Sequence, residues 1–126
     1  MAVRTPEDLH PAFVAAFNAG DLDALLALYE EGGVVTPQPG VVATGHAAIR
    51  AALGGFLSLR GVITMTTKTI IPAGDLALLH AAWTVDGVGP DGAPVALAAR
   101  SSEVIRRQAD GTWRYIIDNP FSVDAA

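Results

Sequence analysis

The order of its hydrophobic periodicities constrains this chain most. Helical spacing runs up to Gly61, and beyond it nearly every segment alternates like a strand. Thr5-Pro6-Glu7-Asp8 predicts a helix start: a capping hydroxyl, a proline suited to the first position, and acids at the positive end of the helix dipole. Leu9, Phe13, Ala16 and Phe17 then share a face, and Asn18-Ala19-Gly20 ends the helix. Asp21 caps a second helix whose buried stripe is Leu22, Leu25, Leu26 and Tyr29, closed by Gly32-Gly33. The stretch VVTPQPG (34–40) is extended but broken by proline, so at best an edge strand. A third helix begins near His46 and turns Ile49, Leu53, Phe56 and Leu57 inward, with Gly54-Gly55 weakening its end.

The remainder reads as antiparallel strands. VITMTTKTII, LALLHAAWTVDG, VALAARSSEVIRRQ and TWRYIID are separated by turn signals at Pro72–Asp75, GPDGAP and ADG. Helices followed by a meander give an α+β arrangement, a curved sheet with helices on one face. No repeat, linker or low-complexity stretch divides the chain, so residues 1–126 are expected to form one domain.

Composition narrows the function. Half of the residues are hydrophobic (51%) and only 17% are charged, which points to a lined cavity or a buried oligomer face. The net charge of −5 disfavours nucleic acid, since Arg106-Arg107 is the only adjacent basic pair. There is no cysteine, hence no disulfide or thiolate chemistry. MAVRTPEDLHP has no apolar signal core, and no run approaches the roughly 18 apolar residues of a membrane span. A cytoplasmic protein without a membrane partner is the expectation. No glycine-rich phosphate loop and no G-x-S-x-G elbow occurs, and three dispersed histidines do not make a metal site. No metal and no cofactor is therefore expected.

One feature asks for a chemical explanation. Asp118 follows the strand residues Ile116 and Ile117 directly and precedes Asn119-Pro120. It is either a turn residue that binds a nearby N–H where the strand stops, or an acid at the floor of a pocket.

AFNAGDLDALLALYEEGGVVTPQPG followed by GHAAIRAAL resembles the NTF2-like superfamily, in particular its ketosteroid-isomerase-like, SnoaL-like and DUF4440-type proteins. EVIRRQADGTWRYIIDNP looks like the end of a DUF4440-type sequence. The resemblance implies a cone-shaped fold, in which three N-terminal helices pack on a strongly curved antiparallel sheet and enclose an apolar pocket. It also implies a homodimer through the outer sheet face. The isomerase of that superfamily uses a tyrosine, a carboxylate base and a protonated aspartic acid. Carried over, the tyrosine falls on Phe13, which has no hydroxyl. The base falls on Thr36, before Pro37, and the aspartic acid on or near Glu103. With two of three groups lost, steroid isomerisation by that mechanism is not expected.

Matching the last strand to the isomerase places Ile116, Asp118 and Pro120 toward the pocket and Trp113, Tyr115 and Ile117 outward. Alternation requires two such sets without saying which is inside. Glu103 shares the parity of Ser101 and Ile105. If inward, it meets Asp118, and two carboxyls so close would hold one proton between them. If outward, it is a weak surface partner for an arginine. Arg100 and Ser102 have the opposite parity, and an inward Arg100 would be an anion hook. A β-bulge could bring both sets in.

Trp83 matches an aromatic pocket position, with Leu79, Ala81 and Val85 on its face. Tyr29 either offers its hydroxyl to the cavity or packs, and Thr36, Thr64 and Thr66 are further polar candidates. His80 falls on the outer face, and His10 and His46 look peripheral. The catalytic candidates are thus Asp118 and Glu103. The ligand-binding candidates are Trp83, Phe13, Phe17, Tyr29, Thr36, Phe56, Met65 and Arg100. Three readings stay open: a cofactor-free isomerase, dehydratase or cyclase acting on a small hydrophobic molecule by proton transfer; a ligand-binding or protein-interaction domain without chemistry; or a purely structural domain whose apolar content serves a dimer face around a vestigial cavity.

Overall fold

In the computed structural model, which describes residues 2–124 and only the backbone of the last two, helices come first and long strands follow. Pro6–Asp8 forms a 3₁₀ turn leading into α1 (Leu9–Asn18), and the Thr5 side chain caps nothing. Gly20, at φ +67°, reverses the chain. Asp21 then caps α2 (Leu22–Leu26) by accepting the Ala24 N–H at 3.0 Å.

Tyr29 does not end that helix. The Leu28 carbonyl accepts the Tyr115 N–H at 2.7 Å, drawing the chain into the sheet, and Tyr29 opens β1 (Tyr29–Gln38). Gly32-Gly33 accordingly sit within a strand rather than closing a helix. Nor is this segment an edge. β1 lies between β2 (Val41–Thr44), antiparallel, and β6 (Trp113–Asp124), parallel. Pro37 is tolerated because the ladder with β6 ends at Val35 and the ladder with β2 is irregular between Val35 and Gln38.

After α3 (His46–Leu57), which buries Ile49 and Leu53, come β3 (Val62–Ala73), β4 (Leu76–Val88), β5 (Pro94–Arg107) and β6 in an antiparallel meander. The sheet order is β2-β1-β6-β5-β4-β3, and the curved sheet stays open. α1 is clamped to the edge strand β3 by Asn18, whose amide donates to the Ile63 carbonyl (3.1 Å) and accepts the Ile63 N–H (2.8 Å). Gly87 must be glycine, since a Cβ there would lie 2.5 Å from the Leu59 carbonyl oxygen.

The core lies between the helices and one sheet face: Phe13, Phe17, Leu25, Ile49 and Leu53 meet Leu79, Trp83, Val85, Ile105 and Tyr115. Bulges decide which strand residues reach it. On β5, Ile105 faces Tyr115 and its neighbour Val104 faces Ile117, so Ile116 is an extra residue on β6. The inward set therefore changes parity along β6. Trp113 and Tyr115, expected outside, are buried at 7% and 1% exposure, and Asp118 is buried beyond the bulge. Ile117 faces out at 46%. The strand does not stop at Asn119-Pro120 either. It continues to Asp124, with Pro120 in a second irregular stretch between the pairs Ser102–Asn119 and Arg100–Val123, where no regular ladder bond is forfeited.

On the sheet face away from the helices, register aligns Val34, Ile117, Val104, Leu78 and Ile71 in one row across the five strands β1, β6, β5, β4 and β3. Ile117, Leu78 and Ile71 are exposed.

Candidate active site

Under α1 and α3 lies a narrow cavity of about 40 Å³. Phe13 and Phe17 enter it from α1, Leu53 and Phe56 from α3, and Met65 and Trp83 from the sheet. Phe121 packs against two of these lining residues, with its ring 5.3 Å from Trp83 edge-to-face and 6.3 Å from Phe56. Trp83 is pinned by its indole N–H, which donates to the Pro120 carbonyl at 2.7 Å. At the polar end the lining is Ser101, Glu103 and Asp118.

Glu103 and Asp118 are direct cross-strand partners on β5 and β6, 2% and 7% exposed. Side chains so placed have Cβ atoms about 4.5–5.5 Å apart. The sheet thus sets two carboxyls side by side in an apolar enclosure. The Ile116 bulge is what brings Asp118 onto the same face as Tyr115. Asp118 is no turn residue, because the strand runs on past it.

Each carboxyl has its own donors. The Tyr29 hydroxyl donates to Asp118 Oδ2 at 2.6 Å, and among the described residues Asp118 Oδ1 accepts nothing. Glu103 is bound more heavily. His10 Nε2 lies 2.5 Å from Oε1, and the Ser101 hydroxyl reaches Oε1 at 3.0 Å and Oε2 at 2.9 Å. His10 Nδ1 is 2.7 Å from Thr67 Oγ1, so both ring nitrogens are engaged.

Burial, then the neighbouring Glu103 charge, pushes the Asp118 carboxyl up to about 7, against a smaller downward pull from the Tyr29 hydrogen bond. Burial likewise holds the Tyr29 and Tyr115 phenols well above their ordinary range, with the Asp118 and Glu103 carboxyls adding to it. Near neutral pH the site therefore holds a half-protonated acid with an oxygen free toward the cavity. This arrangement can give or take a proton.

Several sequence expectations change here. Arg100 is exposed on the opposite face, which leaves Glu103 as the inward residue and rules out an arginine hook in this cavity. Thr36 does not line the cavity; it donates to Asn119 Oδ1 at 2.7 Å. Tyr29 does not line it either, standing behind Asp118 and packing on Tyr115 at 4.8 Å between ring centroids. Thr64 and Thr66 are exposed. His10, read as peripheral, is 3% exposed and sits behind Glu103. Its signal was available: His10, Phe13 and Phe17 share a face at helical spacing. His46 donates from Nε2 to the Tyr29 carbonyl at 2.8 Å and ties the start of α3 to β1. His80 is half-buried and pairs with Ser102, away from the cavity.

Among solved structures, the fold is similar to a ketosteroid isomerase-like protein from Erwinia carotovora atroseptica (TM-score 0.79, 20% identity, covering 90% of this chain and 89% of that one). It is also similar to an NTF2-like protein with a cystatin-like fold from Novosphingobium aromaticivorans (TM-score 0.76, 20% identity, 94% and 80% covered). A third similar structure is a candidate dehydratase of the NTF2-like family from Streptomyces avermitilis (TM-score 0.72, 19% identity, 91% and 93% covered). At these identities the likeness is one of fold. No curated protein sequence matches. The SnoaL-like domain profile matches residues 11–116, from within α1 to the bulge at Ile116 of β6, so that Glu103 lies inside the match and Asp118 just beyond it. The chain belongs to the SnoaL-like domain family, and its fold is like that of the NTF2-like and ketosteroid isomerase-like structures.

Proposed function

We propose that this protein is a cofactor-free acid–base catalyst acting on a small apolar carbonyl compound, with Asp118 moving the proton. The observation that carries this reading is the buried Glu103–Asp118 pair at the polar end of an otherwise apolar cavity. Asp118, pushed up to about 7, has both proton states at hand at neutral pH. Its Oδ1, with no partner among the described residues, is the oxygen that would meet a substrate. Isomerisation, dehydration and cyclisation all need such a transfer, and the isomerase-like and dehydratase-candidate neighbours share the fold. The size of the cavity bears on the substrate. Ligand sites usually enclose roughly 300 Å³ or more, so a polycyclic molecule would need Phe56 and Met65, both only half-buried, to move aside.

The test is deuterium incorporation next to the carbonyl of small cyclic ketones and enones in D₂O. Wild-type protein should accelerate it, and Asp118→Asn should not. Equal incorporation with both proteins would overturn the assignment.

One observation favours a rival reading, a ligand-binding domain without chemistry: Thr36, on which the resemblance places the isomerase's base, lies outside the cavity, and Phe13, on which it places the tyrosine, has no hydroxyl. Binding of a small apolar molecule without exchange in the same assay would support that reading. In both readings the apolar row on the open sheet face is the surface through which two copies pair.

A further inference from the structure

We propose that His10 decides which of the two buried carboxyls carries the negative charge: together with Ser101 it holds Glu103 as the anion and thereby leaves the proton on Asp118. His10 does not line the cavity, so it is a positioning residue that acts through Glu103.

The 2.5 Å contact between His10 Nε2 and Glu103 Oε1 requires one hydrogen between the two atoms. Thr67 can meet Nδ1 in any proton state, because a hydroxyl both donates and accepts. The ring is therefore free to keep its proton on Nε2 and donate it to Glu103. Ser101 adds a second donor, near-equidistant from both Glu103 oxygens. Asp118 has one donor, Tyr29, and among the described residues none at Oδ1. Hydrogen bonds donated to a carboxylate favour its charged form. Of two adjacent carboxyls that cannot both ionise cheaply, the better-supplied one takes the charge and the other keeps the proton.

Among the described residues, the surroundings supply nothing that reverses this order. Tyr29 from β1 and Tyr115 from β6 face the pair as neutral phenols. Leu79 and Ala81 on β4 stand opposite Glu103 and Ser101, Leu53 and Phe56 line the same cavity from α3, and Thr67 on β3 meets His10. Among the described residues, His10, from α1, is the one titratable base bonded to the pair.

The inference takes from the proposed function only the protonated Asp118. It is read from charge states, whereas catalysis is read from deuterium exchange, so either can fail alone. The experiment is ¹³C NMR of the two carboxyl carbons near pH 6. In the wild type, Glu103 should read as a carboxylate and Asp118 as a carboxylic acid. In His10→Leu the two signals should exchange character, and His10→Gln, which keeps a donor, should restore the wild-type pattern. Ser101→Ala, which removes only one donor, covers the case in which His10→Leu does not fold; it should move both signals part of the way. A merely structural role for His10 would let water into the site and turn both groups into carboxylates. That result, an unchanged pattern in both His10→Leu and Ser101→Ala, or a wild type with the proton on Glu103, would each overturn the proposal.

Discussion

Glu103 of β5 and Asp118 of β6 stand directly opposite each other on the helix-covered face of the sheet, both buried and each backed by its own donor. A carboxyl pair in an apolar enclosure is unfavourable for stability unless one member stays protonated. Its presence ties stability, pH and function together.

Stability should fall as pH rises. The Asp118 carboxyl is raised in the folded state, to about 7 from an ordinary 3.8, so the folded protein binds more protons than the unfolded chain between those values. The stabilisation is full below the ordinary value and is lost as pH climbs toward 7. The loss from this one group has an upper bound on the order of 4 kcal/mol. Urea unfolding at pH 5 and pH 8 measures it. Asp118→Asn, which still offers Tyr29 an acceptor, should flatten the difference, and an identical slope in the variant would contradict it.

Tyr29→Phe removes the hydroxyl that, alone among the described residues, donates to Asp118. Because that bond pulls the Asp118 carboxyl down, its titration midpoint should move further up. The lost bond should cost about 1–3 kcal/mol in a denaturant melt. A midpoint that falls would mean that water replaces the hydroxyl and that the site is not dry.

The row Val34, Ile117, Val104, Leu78 and Ile71 offers an apolar stripe for a second copy. Sedimentation should find a dimer. Placing charges on the row by Leu78→Asp with Ile117→Asp should give a folded monomer, with the circular dichroism of the helices retained. A wild-type monomer would remove the row as an interface.

Trp83→Ala should enlarge the cavity and destabilise the protein by about 3–5 kcal/mol. It also frees the Pro120 carbonyl from its indole donor. If the cavity is a binding site, the variant should take up larger cyclic ketones than the wild type in a thermal-shift series. Equal preferences would place the ligand elsewhere.

The sequence made much of this legible, and the gaps have definite causes. Helix faces and the β5–β6 hairpin followed from periodicity and from the turn at Gly111. Six aromatic and carboxyl positions expected at the cavity do line it: Phe13, Phe17, Phe56, Trp83, Glu103 and Asp118. What failed was parity across β6. Alternation assumes a regular ladder, and one extra residue at Ile116 puts Tyr115 and Asp118 on the same side. Tyr29 was misplaced because its apolar spacing fits a helix, while its backbone is claimed by β6. His10 was missed because its partners, Thr67 and Glu103, lie 57 and 93 residues away, a distance no local pattern spans.

The most direct test of the central claim is the ¹³C titration of the Asp118 carboxyl, with Asp118→Asn to assign its signal. A desolvated acid poised beside an anionic Glu103 should titrate with a midpoint of about 7. A midpoint at or below the ordinary carboxylate value of about 3.9 would contradict it. Asp118 would then be a solvated or fully hydrogen-bonded group, and the cavity would hold no proton to transfer at neutral pH.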